Sequence, residues 1–364
     1  MNQNNDDQTP VLVKKHKHLF SIVLNRPKAL NSLNHEMVSL IRTAIDEAKE
    51  DSSVRAVLLY GAGDRGFCAG ADVKDMARNI REGNLKQCLQ FLEAEYALDL
   101  EISRFPKPVI VLADGITMGG GLGISAGADI VLATERTITA MPETRIGFFP
   151  DVGATGWMHN KCPPGYPEYL GLTGYEMKGG ESVRVGLATH LLTTPKISFV
   201  HEVLENFSSE LSHEKPEAVQ QIIALLEPLL KKDIPQKPGL DALVKTCFAG
   251  KTSIIPMLED LRACSQFNDL CEGIFQRLSE RSPTALATTL QLLRLNEGRP
   301  IEAVFKTDLK AARFLLTHPD YIEGIRARLI DKDDQPRWQP ESLEKLTRTV
   351  FMAIFSPSNS QDDL

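Results

Sequence analysis

Apolar positions fall into two rhythms along this chain. Up to about residue 200 they come in short runs. Residues 11–13 and 19–24 flank a polar lysine- and histidine-rich stretch and predict a hairpin-like pair of strands. Pro27 ends the second run. Asn34 then caps a predicted helix with Met37, Leu40, Ile41, Ala44, Ile45 and Ala48 as its apolar positions. Residues 54–60, 109–112 and 130–133 read as further strands, with helices over 85–105 and 121–128 between them. Such alternation predicts an α/β core over residues 11–200. Residues 1–10 are polar and read as a disordered tail. Over 201–364 the helical period dominates, broken by prolines such as Pro235, Pro256, Pro283, Pro300 and Pro319, and predicts a helical region packing on that core.

Composition narrows the function classes. The chain has 364 residues, 42% hydrophobic and 24% charged, which is ordinary globular usage. A net charge of −7 argues against nucleic acid as a partner, because such binding relies on basic surface. An anionic substrate would need local positive charge, as at Arg26, Lys28, Arg65 and Lys74. The six cysteines have no CxxC spacing and read as reduced core residues. The eight histidines form no ligand pattern, so no metal is expected. No 18-residue apolar run predicts a membrane span, and the polar start is unlike a signal peptide. A cytoplasmic protein is expected, or a mitochondrial one from which a presequence has been removed.

Candidate chemistry gathers between Ala113 and Asp151. Gly119, Gly120 and Gly121 precede a short helical segment. Three glycines there suit either a tight turn or a backbone that comes close to a ligand, with free N–H groups at a helix start able to hold a developing oxyanion. Downstream lie Glu143 in MPET and Asp151 in FPDVG. On the helix over 85–105, Gln87, Gln90, Glu93 and Glu101 share one face. Glu95 falls on the opposite side among Cys88, Phe91, Leu98 and Ile102, with Asp99 one turn further. A carboxylate in an apolar stripe is either paired with a cation or used chemically.

The segments LNRPKALNSL, GFCAGAD, DGITMGGGLG and MPETRIGFFPDVG resemble the crotonase (enoyl-CoA hydratase/isomerase) superfamily. The likeness runs over about residues 11–350. With GLATHLL, SPTALATTLQLL and HPDYIEGIRARLIDKDDQPRW, it extends to the superfamily's 3-hydroxyisobutyryl-CoA hydrolase branch. This resemblance implies a spiral of short ββα units with a helical C-terminal region, an acyl-CoA substrate, no cofactor beyond the CoA of the substrate, and a tendency toward homo-oligomers. It implies an oxyanion hole from the N–H groups of Ala71 and Gly120. Glu143 and Asp151 become catalytic and substrate-binding residues, with Glu95 a further substrate contact. The CoA moiety would lie against Lys28, Ala29 and Leu30 and against Ala71, Asp72 and Val73.

Hydratases of the superfamily carry two glutamates; Glu143 matches the second, but the first position here is Gly123. The expected activity is therefore hydrolysis of a short 3-hydroxyacyl-CoA thioester, 3-hydroxyisobutyryl-CoA in valine breakdown first among them. A hydratase/isomerase and a catalytically silent CoA-ester binder are the alternatives. Two departures stand out: Gly70-Ala71-Asp72 has the hydratase-like form, and the run ATGWMHNKCPP puts Trp157 and His159 near the expected acyl pocket. His159 reads either as a group of that pocket or as a surface-loop residue.

Overall fold

Among the described residues, eleven strands divide between two sheets, and the chain passes back and forth between them. The computed structural model describes residues 9–207 and 210–346. Its strands are β1 (Val11–His16), β2 (Leu19–Leu24), β3 (Ala56–Gly61), β4 (Gly66–Cys68), β5 (Val109–Ala113), β6 (Ile116–Met118), β7 (Ile130–Thr134), β8 (Ile138–Ala140), β9 (Met177–Lys178), β10 (His190–Leu192) and β11 (Leu230–Lys231). The larger sheet is ordered β1-β2-β3-β5-β7-β10-β11 and the smaller β4-β6-β8-β9. The interior of the larger sheet is parallel, with an antiparallel pair at each end. Three times in succession a longer strand of the large sheet is followed by a short strand of the small one and then by helix. This is the expected spiral of ββα units.

Helices α1 (His35–Glu50), α2 (Val73–Arg81), α3 (Leu85–Ser103), α4 (Gly120–Gly127), α5 (Ala154–Lys161), α6 (Tyr166–Thr173) and α7 (Gly180–Val185) are set among these strands. They are followed by α8 (Ile197–Phe207), α9 (Lys215–Leu226), α10 (Pro238–Cys247), α11 (Ile254–Ala263), α12 (Asn268–Ser279), α13 (Pro283–Asn296), α14 (Ile301–Thr317) and α15 (Pro319–Ile325).

The continuous apolar strands are explained by burial on both faces. Val57, Leu59, Val109, Val111, Val131 and Ala133 join a core shared with α1 and α3. Leu58, Ile110, Leu112, Ile130 and Leu132 point the other way, into a second core closed by Val200 and Leu204 of α8 and Ala218, Ile222 and Leu226 of α9. The helices after residue 196 therefore begin by covering the sheet, and β11 adds a strand to it.

Local expectations fare well where the pattern is long. The hairpin forms, with Lys14, Lys15 and His16 inside β1. Asn34 Oδ1 accepts the Met37 N–H at 2.9 Å, capping α1. Strands β6, β8 and β9 give no sequence signal because two or three residues carry no periodicity. Residues 1–8 of the expected tail lie outside the described residues.

At the C-terminal side, α13 and α14 pack on α5, and α14 also on α3; α15 packs on α2 and on the 3₁₀ turn Glu143–Ile146. The last contact is backbone to backbone. Gly147 sits at φ +73°, and a Cβ there would overlap the carbonyl oxygen of Asp320. A Cβ at Gly324 would stand 2.5 Å from the Ile146 carbonyl carbon. Asp320 anchors the helix from the other side, accepting from Ser282 Oγ at 2.5 Å and from the Gln339 N–H at 2.7 Å.

Candidate active site

A cavity of about 440 Å³ opens where the small sheet, α3, α4 and the C-terminal helices meet. Ala71 and Val73, Gly119 and Gly120, Glu95, Glu143 and Asp151, and Tyr321 and Arg328 all line it. Stretches far apart in the chain thus supply one wall.

Ala71 and Gly120, two residues of the wall, are the ones expected to offer backbone N–H groups. Gly120 is the first residue of α4, so its N–H has no acceptor within the helix. Ala71 forms an isolated parallel bridge with Leu33. That bridge is made by Leu33 N–H to Gly70 O and Asp72 N–H to Leu33 O, both 2.8 Å, so the Ala71 N–H points away from it. The two segments touch: a Cβ at Gly70 would stand 3.1 Å from the Gly120 nitrogen. The triplet also meets the carboxylates at close range. A Cβ at Gly120 would overlap Glu95 Oε1, and one at Gly119 would lie 3.0 Å from Glu143 Oε1. The triplet forms a turn, with Gly119 at φ +51°, and is packed closely against Glu95, Glu143 and the Cys68 backbone.

Among the described residues these carboxylates are buried without an ion-pair partner. Glu95 is 1% exposed, Asp99 4%, Glu143 8% and Asp151 7%. Among the described residues, neither oxygen of Glu95 or of Asp99 has a hydrogen-bond partner, nor does Glu143 Oε2. The salt-bridge reading of Glu95 therefore fails there. Burial raises the Glu95 and Glu143 carboxyls well above the usual range, and the charge of Asp151 adds to both. Burial also pushes Asp151 up to about 6, against the pull of the Tyr96 hydroxyl, which donates to its Oδ2 at 2.8 Å. Behind them Asp308 of α14 accepts from the Gly153 N–H at 2.9 Å, and it too is raised by burial. Arg145 and Arg328, at the edge of the cavity, turn to Asp334 instead: Arg328 Nη1 donates to its Oδ1 at 2.6 Å, and Arg145 Nη2 lies 3.7 Å away.

Asp99 occupies the space over position 123. A Cβ at Gly123 would lie 2.6 Å from Asp99 Oδ2 and 2.7 Å from Val152 Cβ, so as packed there is no room for a side chain there. Burial, then the Asp151 charge, raises Asp99. A carboxyl whose folded pKa lies above its unfolded value binds its proton more tightly when folded. Stability from it is greatest in acid and is lost as pH rises above the ordinary carboxylate range. Asp99→Asn, which has no proton to lose, is expected to gain about 1–3 kcal/mol over the native protein at pH 8. Most of that gain should vanish by pH 4.5. Thermal melts at the two pH values check this; a variant less stable at pH 8 would mean that Asp99 has an ionic partner.

Other expected residues stand outside the cavity. Lys28 and Ala29 lie in the 3₁₀ turn Pro27–Ala29, followed by Leu30 in the left-handed region. The Leu30 carbonyl accepts the Ala69 N–H at 3.0 Å, which ties this turn to the cavity's Ala69–Ala71 edge. Asp72 caps α2 and pairs with Arg26 at 3.1 Å, while Arg65 donates to the carbonyls of Pro27 and Lys28. Of the four cations named from the sequence, two are thus engaged locally. Trp157 and His159 are not part of the cavity wall. They lie on α5, where Trp157 Nε1 donates to the Val152 carbonyl and a ring nitrogen of His159 pairs with the Leu293 carbonyl at 3.1 Å. The helix turns both side chains toward neighbouring backbone. Tyr96, Asp308 and Tyr321 escape the sequence reading. Asp308 had a signal: it interrupts the apolar face Val304, Phe305, Ala311, Ala312 of α14.

Comparison with known proteins then decides the lineage. The enoyl-CoA hydratase/isomerase family profile matches residues 19–355. The chain belongs to that family. Among its relatives in the family, 3-hydroxyisobutyryl-CoA hydrolase 1 of Arabidopsis thaliana is 33% identical over 367 residues, 98% of this chain and 94% of the relative. Small ribosomal subunit protein mS47 of the same organism is 31% identical over 364 residues, 98% of this chain and 87% of the relative. A crystal structure titled as a carnitinyl-CoA dehydratase from Mycobacterium thermoresistibile superposes with a TM-score of 0.85 at 31% identity, covering 96% of this chain and 97% of that one. The names borne by these similar proteins include a hydrolase, a dehydratase and a ribosomal component.

Proposed function

We propose that the protein hydrolyses the thioester of a short 3-hydroxyacyl-CoA, with 3-hydroxyisobutyryl-CoA as the leading substrate, yielding the free hydroxy acid and CoA. The observation that carries this reading is the convergence of Glu143 and Glu95 on the N-terminus of α4, a helix whose position 123 holds no side chain. The thioester carbonyl oxygen would sit between the N–H groups of Ala71 and Gly120, which become stronger donors as charge develops on it. Glu143 then either attacks the carbonyl carbon, expelling the CoA thiolate and leaving an anhydride that water cleaves, or takes a proton from a water that attacks directly. In both routes the C–S bond breaks, a water oxygen enters the acid and the thiolate gains a proton. Burial raises the Glu143 carboxyl, which makes the ionised group a stronger base. Asp151 and Glu95 would bind and orient the acyl hydroxyl, and the CoA moiety would lie along Lys28–Leu30 and Ala71–Val73.

Hydration needs a second carboxylate beyond position 122, and Gly123 supplies none. A second reading is a CoA-ester binder without turnover, since one relative, mS47, is named as a ribosomal subunit protein. Thiol release from (S)-3-hydroxyisobutyryl-CoA, 3-hydroxypropionyl-CoA, isobutyryl-CoA and crotonyl-CoA separates the readings. Rapid release from the hydroxylated esters is expected. Hydration of crotonyl-CoA without thiol release would make the protein a hydratase, and binding without any turnover would make it a silent homologue.

A further inference from the structure

The C-terminal helices bring to the cavity wall a residue with a buried hydroxyl that no described protein group satisfies. Tyr321 of α15 is 1% exposed and lines the cavity, yet its hydroxyl has no hydrogen-bond partner among the described residues. A buried tyrosine hydroxyl ordinarily finds one. This side chain is also held in place. Its ring packs against Phe148, centroids 5.6 Å apart, and its backbone lies in the helix locked onto residues 146 and 147 and tied through Asp320 to Ser282 and Gln339. A phenol so fixed has little freedom to turn elsewhere for a partner.

The surroundings narrow what that partner is. Asp151, the charged cavity residue whose field reaches the phenol, already accepts the hydroxyl of Tyr96. The thioester oxygen has its own donors in Ala71 and Gly120. What is left is an oxygen carried farther along the acyl chain. An alkyl group placed there would leave the hydroxyl unpaired, whereas a hydroxylated or carbonyl-bearing chain would satisfy it.

We propose that Tyr321 is a specificity-determining residue whose hydroxyl hydrogen-bonds an oxygen substituent on the acyl chain of the bound thioester, so that oxygenated acyl groups are selected over plain alkanoyl groups. The inference rests on the thioesterase reading for the reaction, and adds to it a contact supplied from the C-terminal region.

Tyr321→Phe removes one oxygen and keeps the ring. Two readouts are needed: kcat/KM for 3-hydroxyisobutyryl-CoA and isobutyryl-CoA, and calorimetric affinity for both esters in Glu143→Gln protein with and without Tyr321→Phe. The expected result is a loss of about 10-fold for the hydroxylated ester, the size of one neutral hydrogen bond, with isobutyryl-CoA unchanged. Equal losses for both esters would reduce Tyr321 to packing, and no loss for either would remove it from recognition; both overturn the proposal. Should the native protein cleave neither ester, the thioesterase reading falls while the affinities still decide Tyr321. If Tyr321→Phe does not fold, equal affinity of the Glu143→Gln protein for the two esters overturns the proposal, and Tyr321→Leu, which also lacks the hydroxyl, replaces Tyr321→Phe in both readouts with the same expected loss.

Discussion

Glu143→Gln is expected to abolish thioester cleavage, lowering kcat by about 10²–10⁴-fold while CoA esters still bind. The substitution keeps the shape of the side chain and removes both its nucleophilic oxygen and its basicity. Glu143 stands in a 3₁₀ turn that α15 holds rigidly, with Oε1 close to Gly119 and Oε2 unpartnered among the described residues. An amide there has room to sit as the carboxylate does, so binding should change little. Steady-state thiol release together with calorimetric titration of the ester measures the two effects separately. Turnover within tenfold of the native enzyme would transfer the chemistry to another carboxylate, with Asp151 next in line.

Gly120→Ala is the second large effect, with an expected fall in kcat of about 10²–10³-fold. The added methyl meets Glu95 Oε1 and, at 3.2 Å, Leu33 Cδ1. Relief requires either the carboxylate or the start of α4 to move, and the Gly120 N–H moves with the helix. Because Glu95 is a flexible side chain, the fold should survive. If the loss comes through this clash, Glu95→Ala in the same protein should cost much less than the two single losses combined. Strict additivity of the two substitutions, measured as ratios of kcat, would show that the residues act independently and that the N–H is not displaced.

Much of the site is legible in the sequence, but unevenly. Glu95 can be found because one carboxylate in the apolar stripe of a 19-residue helix is a contradiction that plotting exposes. Its surroundings differ from the expectation only in kind: the bland alternative was a cation, and what lies around it is more acid. Glu143, Asp151 and Ala71 lie in irregular segments where periodicity is silent, and the family resemblance alone singles them out in roles. Trp157 and His159 are drawn toward the cavity by their closeness in sequence to Asp151, whereas the intervening turn into α5 carries them off. Tyr321 and Asp308 show a different limit. Both are more than 150 residues from Asp151, and nothing local tells that α14 and α15 close over the same space.

The lock between α15 and the Glu143 turn has a consequence for how the site is enclosed. The cavity wall is assembled from residues as early as Ala69 and as late as Asp334. Until α15 seats on Gly147 and the Glu143 turn, the triglycine and the carboxylates Glu95, Glu143 and Asp151 lack the wall that Tyr321 and the residues after it supply. Enclosure of the site is therefore tied to the seating of α15, and a change that unseats this helix opens the cavity without touching the triglycine.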